Sequence, residues 1–169
     1  MRKLALIVIY VLGFAALPPS LGGQTAPSQW PTATPPSLAV ERDIAARKKA
    51  LLDESSDLEE MGKSLQGTEL ETTAALDAKA GQGVMELDAT LWLLGVYDNM
   101  QCESDREVVK NALKNRLAFY SHLLGLEADQ VVAHLGFTKL PATAQAGERI
   151  KNDLRAAKAK LDEILVSLN

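Results

Sequence analysis

From Leu38 to Asn169, apolar residues recur every three or four positions, the spacing that places them on one side of an α-helix. In the last segment, over about residues 142–168, alternating steps of four and three join Ile150, Leu154, Ala157, Leu161, Ile164 and Leu168. The first segment, over about residues 38–65, follows the same rhythm through Val40, Ile44, Leu51, Leu58, Met61 and Leu65, with Arg47 and Glu54 interrupting it. Such seams are typical of coiled-coil packing at a shallow angle, so both helices are predicted to line a bundle core.

The middle of the chain holds its most apolar stretch, residues 84–100. Leu91-Trp92-Leu93-Leu94 covers every side of a helix, which predicts a helix that is surrounded by neighbours. A minor helix before it is expected to end at Gly81-Gln82-Gly83. After it, a helix over about 105–124 is expected to end at Gly125, and a short helix at 127–135 is expected to end at Gly136. The pattern predicts an all-α bundle of four substantial helices plus one or two short ones, in a single domain spanning 38–169.

Charge suggests which helices are neighbours. The first helix carries the acidic run DESSDLEE at residues 53–60, whereas the last helix carries Arg149, Lys151, Arg155, Lys158 and Lys160. An antiparallel pairing of the first and last helices sets these faces beside one another. Each exposed ion pair contributes only about 0–1 kcal/mol, so charge selects the partner without holding it. Two separately solvated faces remain the alternative.

The N-terminus has the layout of a secretory signal peptide. Arg2 and Lys3 precede an apolar run from Leu4 to Leu17, and small residues follow Pro18-Pro19. As a helix the run is about 21 Å long against a hydrocarbon core of roughly 30 Å, so a retained membrane anchor is the less favoured interpretation. We predict a signal peptide at 1–23, cleavage near 20–26, and an exported protein that is periplasmic or secreted.

Residues 24–37, QTAPSQWPTATPPS, contain four prolines and no charged residue. Such a composition favours an extended, solvated segment. We therefore predict a disordered Pro/Ser/Thr linker between the signal peptide and the helical domain.

Composition excludes several classes of function. The formal net charge is −4, and it becomes −6 when Arg2 and Lys3 are removed. Nucleic acids and anionic membrane surfaces are bound by basic patches, so neither is a predicted partner. One cysteine rules out a disulfide framework and a cysteine-based zinc site.

Motifs for catalysis or metal binding are not found. His122 and His134 lie twelve residues apart across Gly125, which matches neither HExxH nor a shared-face metal spacing. Acidic pairs such as Asp53-Glu54 and Glu59-Glu60 fall in a run that should face solvent, whereas a catalytic pair needs burial. We predict no catalytic residue, no metal site and no cofactor, and a protein that is not an enzyme.

Two functional hypotheses follow. The first is a non-enzymatic, exported protein-interaction or structural module of the cell envelope, with a protein partner of unknown identity or with itself. The alternative is a small-ligand or haem carrier with a pocket between helices, for which His122, Met100, Trp92 and Tyr120 are the candidate binding residues.

Cys102 lies in the connection before the helix at 105–124. A reactive nucleophile is disfavoured because the neighbouring Glu103, Asp105 and Glu107 oppose a thiolate. A disulfide-linked homodimer through Cys102 is allowed, since a lone exported cysteine has no partner within its chain. We favour a buried and inert thiol instead.

Overall fold

The computed structural model describes residues 37–169, which form four helices and no strand. The helices are α1 (Ser37–Gly62), α2 (Gly67–Asp98), α3 (Glu103–Leu135) and α4 (Pro141–Ser167). Short connections at 63–66, 99–102 and 136–140 make consecutive helices antiparallel. The prediction of an all-α helical bundle is confirmed. The predicted signal peptide and linker lie outside the described residues, apart from Ser37 at the start of α1.

The predicted additional short helices are wrong, because α2 continues through Gly81-Gln82-Gly83 and α3 continues through Gly125. Gly83 is required by close packing: a Cβ there would lie 2.5 Å from Leu154 Cδ2 and 3.0 Å from Leu51 Cδ1. A helical glycine costs only about 1 kcal/mol relative to alanine. The apolar contacts that this close approach allows outweigh that cost, so Gly83 does not end α2.

Residues 63–66 form the turn between α1 and α2. α1 ends at Gly62, and the chain then turns through hydrogen bonds such as Ser64 N–H to the Met61 carbonyl at 3.2 Å. Gly67 has a φ of +59°, a left-handed conformation that glycine adopts without steric cost. Gly67 therefore starts the second helix and does not terminate the first.

One core runs through all four helices. Its large, fully buried side chains include Ile44, Leu51 and Leu58 of α1, Leu76 and Leu87 of α2, Leu117 and Leu124 of α3, and Ile150, Leu154 and Leu161 of α4. α1 packs against α2 and α4, and α3 also packs against α2 and α4. α2 and α4 meet across the middle of the bundle as well, which explains why their inner faces carry Gly83 and Gly147.

The predicted antiparallel pairing of the first and last helices is confirmed. Arg149 of α4 donates two hydrogen bonds to the Glu54 carboxylate, one of them from Nη2 to Oε2 at 2.9 Å. Arg47 Nη1 lies 2.8 Å from Asp153 Oδ1. The two charged residues that interrupt the apolar seam of α1 therefore both form ion pairs with α4.

Candidate functional site

A groove of about 400 Å³ runs between α2 and α3 on the surface of the bundle. It is lined by Gln82, Met85, Glu86 and Ala89 of α2 and by Tyr120, Leu123 and Glu127 of α3. Groups from two antiparallel helices thus meet in one place, although they lie about forty positions apart in the sequence.

Two carboxyl groups form the floor of this groove. Glu86 is 9% exposed and Glu127 is 8% exposed. Lys79 Nζ lies 3.0 Å from Glu127 Oε2 and donates a hydrogen bond to Gln82 Oε1 at 2.9 Å. Glu86 Oε2 has no hydrogen-bond partner among the described residues. The ammonium group of Lys79 thus pairs with Glu127, and Glu86 has no positively charged group in direct contact.

This arrangement raises the pKa of Glu86 to about 7 from an ordinary value of 4.5. The largest cause is burial, which penalises the carboxylate, and the negative charge of Glu127 adds to it. Lys79 acts in the opposite direction and cancels only part of the effect. Near neutral pH, Glu86 therefore exists as a mixture of the neutral acid and the carboxylate, and it can donate or accept a hydrogen bond.

An unusually apolar surface surrounds the groove. On α2 it consists of exposed or half-buried residues at steps of three and four, which we call the α2 stripe: Ala74, Ala78, Gly81, Met85, Ala89, Trp92 and Val96. Met85 is 65% exposed and Trp92 is 67% exposed. No charged residue interrupts the stripe, because the charged residues of this part of α2 turn towards α1 or α3.

A second apolar row lies on α3 at steps of seven, and we call it the α3 stripe: Ala112, Phe119, Leu126 and Ala133. Phe119 is 50% exposed and Leu126 is 42% exposed. Both are neighbours of the groove residue Leu123, at four residues before it and three after it, so they lie on α3 just outside the rim of the groove. The two stripes together form what we call the α2–α3 face.

The predicted ligand-binding residues are not gathered into one pocket. Tyr120 lines the groove, whereas Trp92 lies on the α2 stripe. His122 is exposed two residues after Tyr120, and Met100 is half-buried in the connection between α2 and α3. Of the four candidates, the groove thus contains one.

Cys102 is exposed, so the expectation of a buried thiol is wrong. It is the residue that precedes the first turn of α3, and its Sγ lies 3.0 Å from Ser104 Oγ. This contact lowers the pKa of the thiol, and the backbone amides of Asp105 and Ser104 lower it further. The short connection leaves no second layer of chain to cover the side chain, which explains the exposure.

The Glu86–Glu127 pair does not form a sequence motif, because the two acids lie 41 positions apart on different helices. One signal was present: Glu86 is the carboxylate at the start of the most apolar stretch of the chain, in VMELDATLWLL. Glu86 and Asp88 are the two carboxylates of that stretch, and a carboxylate within an apolar helix segment indicates either burial or a partner on another helix.

Further observations bear on the class of site. Within residues 37–169, no group of three or more His, Cys, Asp and Glu side chains is arranged to hold a metal ion. Nor does any helix in that range combine the length and hydropathy needed to cross a bilayer. Comparisons with protein-family models, curated proteins and solved structures found no match.

Proposed function

We propose that this chain is a non-enzymatic, exported protein-interaction module of the cell envelope, and that the α2–α3 face is its binding surface. The observation that supports this most directly is the distribution of exposed apolar side chains. Of the eleven large apolar side chains that are exposed within residues 37–169, six lie on or beside this face: Met85, Trp92, Val96, Val108, Phe119 and Leu126. The α1–α4 side of the bundle instead carries the ion pairs Arg47–Asp153 and Arg149–Glu54.

The composition of the face suits a protein partner. Exposed apolar patches larger than a few hundred Å² are uncommon on monomeric proteins and usually mark interaction sites. Tryptophan is a frequent anchor of binding energy, and Trp92 offers most of its surface to solvent. Burying apolar surface contributes about 25 cal/mol per Å², so contact with Met85 and Trp92 gives a partner a substantial gain.

The groove adds specificity to this apolar contact. Glu86 lines the groove at the base of the face, but its Oε2 is buried and unpaired, so a polar group of a partner meets this carboxyl only when the side chain turns towards the open side of the groove. A buried acceptor without a partner is costly, so a bound protein that supplies a donor is favoured over one that supplies only apolar atoms.

Export is part of the proposal, and its support is the N-terminal pattern of Arg2, Lys3 and the apolar run that follows. Cell fractionation tests it. The processed protein should appear in the envelope or the medium. Full-length protein that stays in the cytoplasm would contradict export.

The binding role is tested by crosslinking the protein in its own cells and comparing the captured material among variants. Trp92→Gln and Phe119→Gln each replace an exposed apolar group of the face, so both should lose the crosslinked species. Val166→Gln is the control, because Val166 is 75% exposed on α4. Circular dichroism should show the same helix content in all three variants. If the variants of the face capture the same species as Val166→Gln, the α2–α3 face is not the binding surface.

A further inference from the structure

We propose that the partner of the α2–α3 face is a second copy of this chain, and that α2 packs antiparallel on α2 of that copy about a two-fold axis at Met85. This inference rests on the proposed function and names its partner. A two-fold axis brings the same surface of each protomer together, so the surface must be complementary to itself. The order of large and small residues along the two stripes provides this complementarity.

The α2 stripe is complementary to itself about Met85. Consider two antiparallel α2 helices, one from each copy, that cross at Met85. A residue that precedes Met85 on one helix then faces the residue that follows Met85 by the same number of positions on the other. Trp92 then faces Ala78 of the copy, and Val96 faces Ala74. Large side chains in one half of the stripe are thus received by small residues in the other half, which permits close packing of two helices.

The α3 stripe has the same symmetry. Phe119 and Leu126 lie at equal distances from the midpoint between residues 122 and 123, and so do Ala112 and Ala133. Met85, Tyr120 and Leu123 line the same groove, and the ion pairs Lys79–Glu127 and Asp98–Arg106 set the register of the two helices, so that midpoint lies within about one turn of Met85 along the bundle. A single axis therefore passes close to the centres of both stripes, and it sets Phe119 against Leu126 of the copy.

The ends of the face are polar, as the rim of an interface usually is. Glu71 is exposed one turn before the α2 stripe begins, and Asn99 is exposed just after α2 ends. These two residues are also symmetric about Met85, so the axis sets the carboxylate of one protomer near the amide of the other. The uncharged α2 stripe is thus bounded by a pair that can form a hydrogen bond.

The area of the face is sufficient for a stable dimer. From residue 74 to residue 96 a helix is about 33 Å long, and two helices side by side are about 20 Å wide. The footprint is about 660 Å² on each protomer, or about 1,300 Å² in total. Specific protein–protein interfaces bury about 1,200–2,000 Å², so the α2–α3 face is of the required size.

A charge swap at Met85 tests the axis. Because Met85 lies on the axis, Met85→Lys places two ammonium groups together and Met85→Glu places two carboxylates together. Sedimentation velocity should show a dimer for the unmodified protein and at least a tenfold higher dissociation constant for each variant alone. An equimolar mixture of the two variants should restore the dimer. Met85 is 65% exposed, so both variants should fold, and Val166→Lys is the control that should stay dimeric.

Disulfide crosslinking tests the register independently. In a Cys102→Ser background, Met85→Cys should form a reducible dimer, because helices in contact bring facing Cα atoms to within disulfide range. Ala74→Cys in the same background should not, since the two copies of residue 74 lie about 33 Å apart along the pair.

The outcomes separate this inference from the function on which it rests. A protein that stays monomeric at all concentrations overturns the dimer, and so does a dimer that is unaffected by Met85→Lys. If the monomer still captures another protein through Trp92 and Phe119, the interaction role stands with a different partner. If Trp92→Gln and Phe119→Gln change neither capture nor self-association, both proposals fail.

Discussion

Replacing Glu86 by glutamine should change how the stability of the protein depends on pH. The pKa of Glu86 is raised to about 7 in the folded chain, whereas a solvated glutamate titrates near 4.5. The folded state therefore binds the proton more tightly than the unfolded state does. This contribution to stability is fully present at pH values below the pKa of Glu86 in the unfolded chain. It is lost as the pH rises through the pKa of Glu86 in the folded chain. We expect the free energy of unfolding to fall between about pH 5 and pH 8.

The magnitude follows from the size of the shift. Each pKa unit corresponds to 1.36 kcal/mol, so the shift from 4.5 to about 7 gives about 3 kcal/mol between the protonated and ionised forms. The groove is open to water on one side, and water screens part of this difference. We therefore expect a loss of about 2 kcal/mol across the titration. Glutamine has the same shape as glutamic acid and stays neutral, so the variant should not show this loss.

Urea unfolding followed by circular dichroism measures the effect, with all proteins at one fixed concentration. Glu86→Gln should be about as stable as the unmodified protein at low pH and about 2 kcal/mol more stable above pH 8. Asp88→Asn is the matched control, because Asp88 lies two residues further along α2 and its side chain is 56% exposed beside Lys48. Other titrating groups are common to both proteins and cancel in the comparison. A difference between Glu86→Gln and the unmodified protein that stays constant with pH would refute the assignment of a raised pKa to Glu86.

Three further predictions concern the core, the close helix contact and the thiol. Leu161→Ala should lower the free energy of unfolding by about 2–5 kcal/mol, because Leu161 is fully buried; a change below 0.5 kcal/mol, typical of a surface site, would place α4 outside the core. Gly83→Ala should lower the free energy of unfolding by about 1–3 kcal/mol through overpacking. Gly95→Ala is the control: a Cβ at residue 95 would have open space around it, so this variant should raise the free energy of unfolding by up to about 1 kcal/mol. Equal effects of the two substitutions would contradict the close contact at Gly83. The exposed Cys102 should react with a disulfide reagent in the native protein nearly as fast as in the unfolded protein. Ser104→Ala should slow the reaction at neutral pH, because it removes the contact that lowers the pKa of the thiol. Slow labelling that accelerates only in urea would show a buried thiol.

The helical seams and the pairing of α1 with α4 were predictable, because each depends on residues within one helix. Ile150, Leu154 and Leu161 share a face by their spacing alone, and that face is buried. The acidic run of α1 and the basic run of α4 are likewise local patterns. Their pairing follows once the two helices are antiparallel, as the Arg149–Glu54 contact shows.

The helix boundaries were less predictable, because glycine has two opposite uses in this chain. At Gly67 it supports a left-handed turn between helices. At Gly83 it lies inside a helix, where it admits Leu154 and Leu51 from the opposite side of the bundle. Local propensity treats both as breaks, and only the positions of side chains on other helices distinguish them.

The groove was not predictable for a related reason. Glu86 and Glu127 become a pair only when α2 and α3 are aligned so that Lys79 reaches Glu127. That alignment is set by the connection at 99–102 and by core packing, neither of which is visible in the spacing of acids. The exposure of Cys102 has the same origin, since it depends on how short that connection is.

The all-round apolar pattern of α2 carries information that the bundle alone does not use. Leu94 and Leu87 face the core, yet Trp92 and Met85 on the same helix remain about two-thirds exposed. A helix that is apolar on every side is favoured when every side is covered, and α1, α3 and α4 cover only the inner side and the flanks of α2. The remaining side is exposed in the described part of the chain, and it is the side to which we assign the second copy. A second copy covers that side without any additional sequence, because the large and small residues of the α2 stripe are already arranged to receive one another.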